Sequence, residues 1–297
     1  MGIMPKREPI VSVIIPTYNS SGTLRLALQT VLLQDFKDFE VWIIGDGCTD
    51  NSEKVVTSFE DDRLNWINLE SNSGNPSLPR NEGIRRSKGQ FIAYLGHDDL
   101  WFPWHLSELV YCIQKNNFDF VYSLGSLIAP KGAIGTFTLH HKLSTGYTIS
   151  PSNWLHNKNL TKIIGGWSQD IEYSHDKEFL QRILSSNVKL KFCRRLSVLK
   201  FPSRNWEMYL LNEDLPQTPY IQAMQQDSKK LNDELLLNVA TIMSHKRFMF
   251  NENRNIFYRF FVELIGNTID LYGQYRWPLN TFLYRRWRRK TGLKHAQ

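Results

Sequence analysis

Asp98 and Asp99 stand side by side between an apolar run, Gln90 to Leu95, and Leu100-Trp101. Two adjacent carboxylates at the end of a buried strand repel each other and raise the cost of folding unless a cation or solvent relieves them. A divalent metal with oxygen ligands is one such cation. Aspartate is also a good helix N-cap, and a helical pattern begins near Trp104, so capping is the competing reading. Asp46 lies in a glycine-flanked turn, Gly45-Asp46-Gly47. Its carboxylate suits hydrogen bonds from a base or a ribose, or an Asx turn on the local backbone. Arg80 opens a helical stretch after the turn residues Asn72 to Pro76, and it suits either a phosphate or solvent.

The elements that must position these residues alternate. Ile10 to Ile15 reads as a buried strand stopped by Pro16, followed by a helix from Ser20 or Ser21 to about Leu33. Phe39 to Ile44 is a second strand, and a short helix capped by Asp50 or Asn51 runs through Phe59. Leu64 to Leu69, a helix from Pro79 to Ser87, Gln90 to Leu95, a helix from Trp104 to Lys115 and Phe118 to Ser123 continue the alternation. Such βα units predict a mainly parallel sheet covered on both faces, with ligands gathering beyond the carboxyl ends of its strands. Thr17, Tyr18, Asp46, Arg80, His97 and Asp98 all fall at those ends.

The second half is less regular. Leu124 to Ser144 reads as hairpin or loop, Asp176 to Ser185 as helix, and Val188 to Leu199 as one or two strands. Two long helices are predicted at about Tyr220 to His245 and Asn253 to Tyr275. This divides the chain into a domain over 1–205, its halves meeting near 125/126, and a helical extension over 206–297.

Composition narrows the classes. The chain has 297 residues, 41% hydrophobic and 22% charged, as expected of a globular protein. Three cysteines at no metal-ligand spacing fit a reducing compartment. The opening apolar run is too short for a secretory leader, and no stretch approaches a membrane span. Neither GxxxxGK[ST] nor GxGxxG occurs, so ATPase and dinucleotide-binding readings have no support. The net charge of +7 is concentrated in Arg285, Arg286, Arg288, Arg289, Lys290 and Lys294, leaving the body near neutral.

The blocks VSVIIPTYNSSGTLRLALQTVLLQ, FEVWIIGDGCTDNS and NSGNPSLPRNEGIRRSKGQFIAYLGHDDLW, in that order, resemble the family 2 glycosyltransferases of the GT-A fold, an α/β architecture. The resemblance implies a nucleoside-diphosphate sugar donor (UDP-, GDP- or TDP-linked), a Mn or Mg ion, and inverting transfer to an acceptor hydroxyl on a glycan or lipid-linked acceptor. It implies that Pro16, Thr17 and Tyr18 hold the nucleobase, that Asp46 binds base or ribose, and that Arg80 lies near base and phosphates. Asp98 takes the place of the metal-binding aspartate of the DXD motif, with His97 lining the pocket. Gly96 stands where many members carry the first aspartate of that motif. The general base implied is Asp176, with His175 in the place of the usual glutamate and Asp170, Glu172 and Glu178 as rivals. Gly166 and Trp167 are expected to shape the acceptor pocket, and Ser203 and Arg204 to reach the diphosphate. A nucleotidyltransferase would need a Gly/Arg/Lys-rich loop after the first strand, which PTYNSSGTLR is not. A non-catalytic nucleotide- or glycan-binding module is the alternative that Gly96 and His175 keep open.

Leu279, Phe282, Leu283 and Trp287 share one face of a helix whose other positions are rich in arginine. This pattern over 279–290 suits an interfacial helix on anionic lipid, or a terminal helix packed on the body. The expected location is cytoplasmic, with the inner face of the membrane as the surface such a helix would meet. No second basic patch supports nucleic-acid binding.

Overall fold

The computed structural model describes residues 8–128, 134–137, 149–171, 175–201 and 215–252. Strand β1 (Val11–Thr17) is buried on both faces and forms the centre of the sheet's first half. It pairs in parallel with β2 (Phe39–Gly45) and with β4 (Phe91–Tyr94), and β3 (Leu64–Asn68) extends β2. Three helices cross between these strands: α1 (Ser21–Leu32), α2 (Ser52–Thr57) and α3 (Ser77–Arg86). Strands β1 and β4 are buried along their whole length because helices cover both faces of the sheet there.

Beyond β4 the sheet becomes mixed. After the short β5 (Leu100–Trp101) and helix α4 (His105–Lys115) come β6 (Phe120–Ile128) and β7 (Ile134–Phe137). A 3₁₀ turn, Pro151–Asn153, leads into β8 (Trp154–Asn157) and α5 (Leu160–Ile164). Helix α6 (His175–Ser185) and β9 (Leu190–Lys200) follow. The strand order is β3-β2-β1-β4-β8-β6-β9-β5, with β7 on β6. Strand β8 runs antiparallel to both β4 and β6 and joins the two halves. Its four residues are too few to show a period, so the sequence gives no strand signal there.

Pro16 does not stop β1. The strand continues to Thr17, with Pro16 opposite Ile44. Proline removes one ladder donor at this position but leaves its carbonyl, which accepts from His97 Nδ1 at 3.2 Å.

Helix α7 (Thr218–Glu252) is broken at Asp227, whose φ of −157° and ψ of 92° are not helical. Asp227 Oδ1 accepts from Lys230 N at 2.9 Å and so restarts the helix as a cap. Ile221, Met224, Leu231 and Leu235 of α7 pack with Leu100, Phe102, Leu196 and Phe201 in a second core. The larger core lies between the sheet and α1 and α4. Met1–Leu139 with Thr148–Ala240 form one compact unit, so the start of the helical extension belongs to the main body. His140–Tyr147 with Thr241–Gln297 form the other unit, of which the described part is helical backbone. The helix expected at Asn253 to Tyr275 and the basic segment 279–290 lie outside the described residues.

Helix α3 lies close on β1. A β-carbon at Gly83 would stand 2.5 Å from Ile14 Cγ2. Gly83→Val forces that contact apart, and overpacking of this kind costs about 1–3 kcal/mol. Urea unfolding is expected to show that loss; an unchanged midpoint would mean that α3 is free to lift off the sheet.

Candidate functional site

The residues after β1, β2, β3 and β4 meet through hydrogen bonds. Asp46 N donates to Thr17 O at 2.8 Å, which ties the ends of β2 and β1. The Asp46 carboxylate accepts from Ser73 N at 3.1 Å and Ser73 Oγ at 3.0 Å, which adds the loop after β3. It therefore does not close a local Asx turn; Asp50 caps locally instead, accepting from Ser21 N at 2.9 Å and Ser52 Oγ at 2.6 Å. Gly47 has a φ of +71°, and a β-carbon there would meet the backbone of Ser71 and Asn72 at 2.6 and 2.5 Å. Only glycine allows these loops so close. Tyr18 is exposed beside this edge, whereas Thr17 is buried and its Oγ1 has no hydrogen-bond partner among the described residues.

Arg80 comes from the first turn of α3 and is 9% exposed. Its guanidinium carbon lies 4.1 Å from the centroid of the Trp167 ring, a cation–π contact. Its Nη1 donates to Asp176 Oδ1 at 3.0 Å, and its buried Nε has no partner among the described residues. The Asp176 side chain is 38% exposed, so it faces solvent from an ion pair whose other half is buried. His175, beside it, is buried and joined through Nδ1 to Ser77 Oγ at 3.0 Å. Burial is the main influence that pulls His175 below the ordinary histidine value. The start of α6 is thus held against the start of α3 by two contacts.

Trp167 is 2% exposed, so its ring is not offered to a ligand. It stacks on Phe179 at 4.2 Å and donates through Nε1 to the Tyr94 hydroxyl at 3.2 Å. That hydroxyl donates in turn to His156 Nε2 at 3.0 Å. Burial pushes His156 down to about 4, which keeps it a neutral acceptor. Asn81 clamps the Trp167 backbone, donating to its carbonyl at 2.8 Å and accepting from its N–H at 2.7 Å. Gly166 is exposed, and a β-carbon there would strike Asn81 Oδ1 at 2.5 Å.

The Asp98-Asp99 pair is resolved by separation. Asp99 is fully buried and accepts from Lys200 Nζ at 3.1 and 3.3 Å, Ser152 Oγ at 2.5 Å and Phe201 N at 3.3 Å. Burial pushes its carboxyl up, and Lys200 is the strongest opposing influence. Asp98 remains half-buried, with its backbone carbonyl accepting from Gln217 Nε2 at 2.9 Å. Neither aspartate caps α4, whose N-cap is Trp104. Lys200, 101 residues from Asp99, is the residue at this turn that reading along the chain misses. Its one signal is its place at the end of the last strand of the sheet.

Among the described residues no three His, Cys, Asp or Glu side chains form a ready-made metal cage. Gly96 contributes no side chain, and Asp99 is committed to Lys200. A β-carbon at 96 would stand 2.9 Å from both Asp98 Oδ1 and Asp99 Oδ2, so a first acid does not fit this turn as it stands. Asp98 alone suits an ion that takes one carboxylate and completes its shell with water and substrate phosphate, as Mg²⁺ commonly does. Ser203, Arg204 and Glu172 lie outside the described residues.

The model of the family described as Glycosyl transferase family 2 matches residues 12–174. Escherichia coli WfgD, a UDP-Glc:alpha-D-GlcNAc-diphosphoundecaprenol beta-1,3-glucosyltransferase, is 30% identical over 135 residues, covering 46% of this chain and 53% of WfgD. The chain spans about half the length of the curated relatives it matches. The crystal structure of S. aureus TarS 1–349 in complex with UDP-GlcNAc has a TM-score of 0.58 at 21% identity, over 77% of this chain and 71% of that one. Mannosyltransferase PcManGT from Pyrobaculum calidifontis, in complex with GDP-Man and Mn²⁺, has a TM-score of 0.53 at 15% identity, over 93% and 83%. These structures share the fold of this chain.

Burial pushes the Asp46 carboxyl up, against the lowering pull of the Ser73 amide and hydroxyl. A carboxyl raised in the folded state contributes stability that is present below its unfolded value and is lost as pH rises. The stability of the protein relative to its Asp46→Asn variant is therefore expected to fall as pH climbs from below the ordinary value of 3.8 through the carboxylate range. Denaturant titrations of both proteins between about pH 3.5 and 7 measure this, and a flat difference would show that the carboxyl is not raised.

Proposed function

Because this chain belongs to glycosyl transferase family 2, with the GT-A fold, we propose that it is an inverting glycosyltransferase that moves a sugar from a nucleoside-diphosphate sugar to an acceptor hydroxyl. The observation that carries the reading is the Arg80–Asp176 pair, which joins a residue of the nucleotide-binding half to a helix-start carboxylate 96 residues away. Thr17, Tyr18 and Asp46 form the edge that receives the nucleoside, with Ser73 fixing the Asp46 carboxylate. Pro16 contributes through its carbonyl, which orients His97 beside Asp98. Arg80, buried on Trp167, presents fixed positive charge to the diphosphate, and such preorganised charge is worth more in a site that excludes water.

Asp176 is the general base. The acceptor oxygen forms its bond to the anomeric carbon as its proton passes to the Asp176 carboxylate. The bond from the anomeric carbon to the diphosphate oxygen breaks, and the nucleoside diphosphate leaves with the electron pair. Single displacement inverts the anomeric centre. Asp98, together with the donor's phosphates, would hold a Mn or Mg ion, which when bound neutralises charge on the leaving group. Gly166 lines the acceptor side, and Trp167 acts there by holding Arg80 in place.

WfgD is named for a diphosphoundecaprenol-linked acceptor. That supports surface-polysaccharide or related glycan assembly as the setting, with a glycan or lipid-linked acceptor. The basic segment 279–290 has the composition to meet an anionic membrane surface near such an acceptor. Among the described residues no helix is long and apolar enough to cross a membrane.

Asp176→Asn is expected to lower the rate of sugar transfer by about 10²–10⁴-fold, the usual range for a lost general base, while nucleotide binding persists. Asp98→Asn is expected to abolish the Mn-dependent part of the thermal shift given by the nucleoside diphosphate. A panel of UDP-, GDP- and TDP-sugars with Mn tests both variants against the wild type. Loss of donor binding in Asp176→Asn would reject Asp176 as the base. Binding without release of nucleotide by the wild type from any donor would favour a binding module over an enzyme.

A further inference from the structure

Lys200 is more than the partner of Asp99 needs to be. Asp99 has no exposed surface, yet the Lys200 side chain is 26% exposed. The carboxylate is thus covered while part of its partner's side chain stays reachable. The ammonium carries three donors, and the Asp99 oxygens at 3.1 and 3.3 Å occupy at most two. Burial opposes its charge, but the carboxylates of Asp99, Asp98 and Asp176 together hold it above the ordinary lysine value. Its hydrogen bonds to Asp99, the neighbour of Asp98, place the ammonium at the turn after β4, where the diphosphate must lie if Asp98 and Asp176 flank the reacting bond. Gly96 removes one acid from the same turn, so the local balance shifts toward positive charge.

We infer that Lys200 is a built-in cation for the donor's diphosphate, anchored by Asp99 and set beside Asp98. This rests on the nucleotide-sugar reading above and goes beyond it. A diphosphate arriving at the site meets Lys200 from the side on which its side chain is exposed. Lys200 then stabilises the negative charge that develops on the leaving diphosphate oxygen, alongside any ion held at Asp98. Nucleoside-diphosphate binding should consequently keep a component that needs no divalent cation.

Removing Lys200 alone strands a buried carboxylate and destabilises the fold, so the test removes the charge with its anchor. UDP, GDP and TDP are titrated calorimetrically into the wild type, Asp99→Asn and the double variant Asp99→Asn/Lys200→Met, each in EDTA and in MnCl₂. The wild type and Asp99→Asn are expected to bind one of these diphosphates in EDTA. The double variant is expected to bind it about tenfold or more weakly in EDTA, the effect of losing one charge-assisted hydrogen bond. Its loss should be smaller in MnCl₂. Equal binding of both variants in EDTA would overturn the inference, as would a wild type that binds only with Mn. That last result would leave the glycosyltransferase reading standing, whereas no binding of any diphosphate under either condition would remove both.

Discussion

Two neighbouring carboxylates at the end of one strand cannot share a low-dielectric interior, and the site is arranged around how that conflict is resolved. Asp99 turns inward to Lys200, Ser152 and the Phe201 amide, whereas Asp98 stays half-buried. The buried pair links the turn after β4 to the end of β9 and to the 3₁₀ turn before β8. An ion pair so deep does not by itself guarantee stability, because desolvating both charges offsets much of their attraction. Its evident effect is geometric: it covers Asp99 against Lys200 and leaves Asp98 half-buried.

A second joint works by the same logic on the opposite side. Arg80 is buried against Trp167, and its ion pair to Asp176 offsets part of the cost of that burial. Trp167 is itself immobilised by Phe179, Tyr94 and the Asn81 clamp. Arg80 of α3 and Phe179 of α6 therefore rest on the same indole ring. This explains why a tryptophan that looks suited to stacking on a sugar is instead covered by protein.

Much of the first half is legible in the sequence because β1, β2 and β4 are mostly apolar runs long enough to register and turn residues separate them from the helices. The parallel pairings of β1 to β4 follow from that alternation. Strands β5 and β8 are not legible, since two and four residues carry no period and their partners are remote. The end of β1 was misplaced for a different reason: proline signals a break, but at a strand end it forfeits only one donor.

The types of chemistry at the site were set by the residues themselves. Acid at Asp46, Asp98 and Asp176 and base at Arg80 fall beyond strand ends or at helix starts, and the order of the blocks names the family. What the chain order cannot contain is which charges meet. Asp99 finds Lys200 across 101 residues, and Arg80 finds Asp176 across 96. Those pairings depend on side-chain direction at the end of each strand, which follows from register and burial in the assembled sheet. Only the folded chain decides that Asp99 is the aspartate buried against a lysine and that Asp98 stays half-buried.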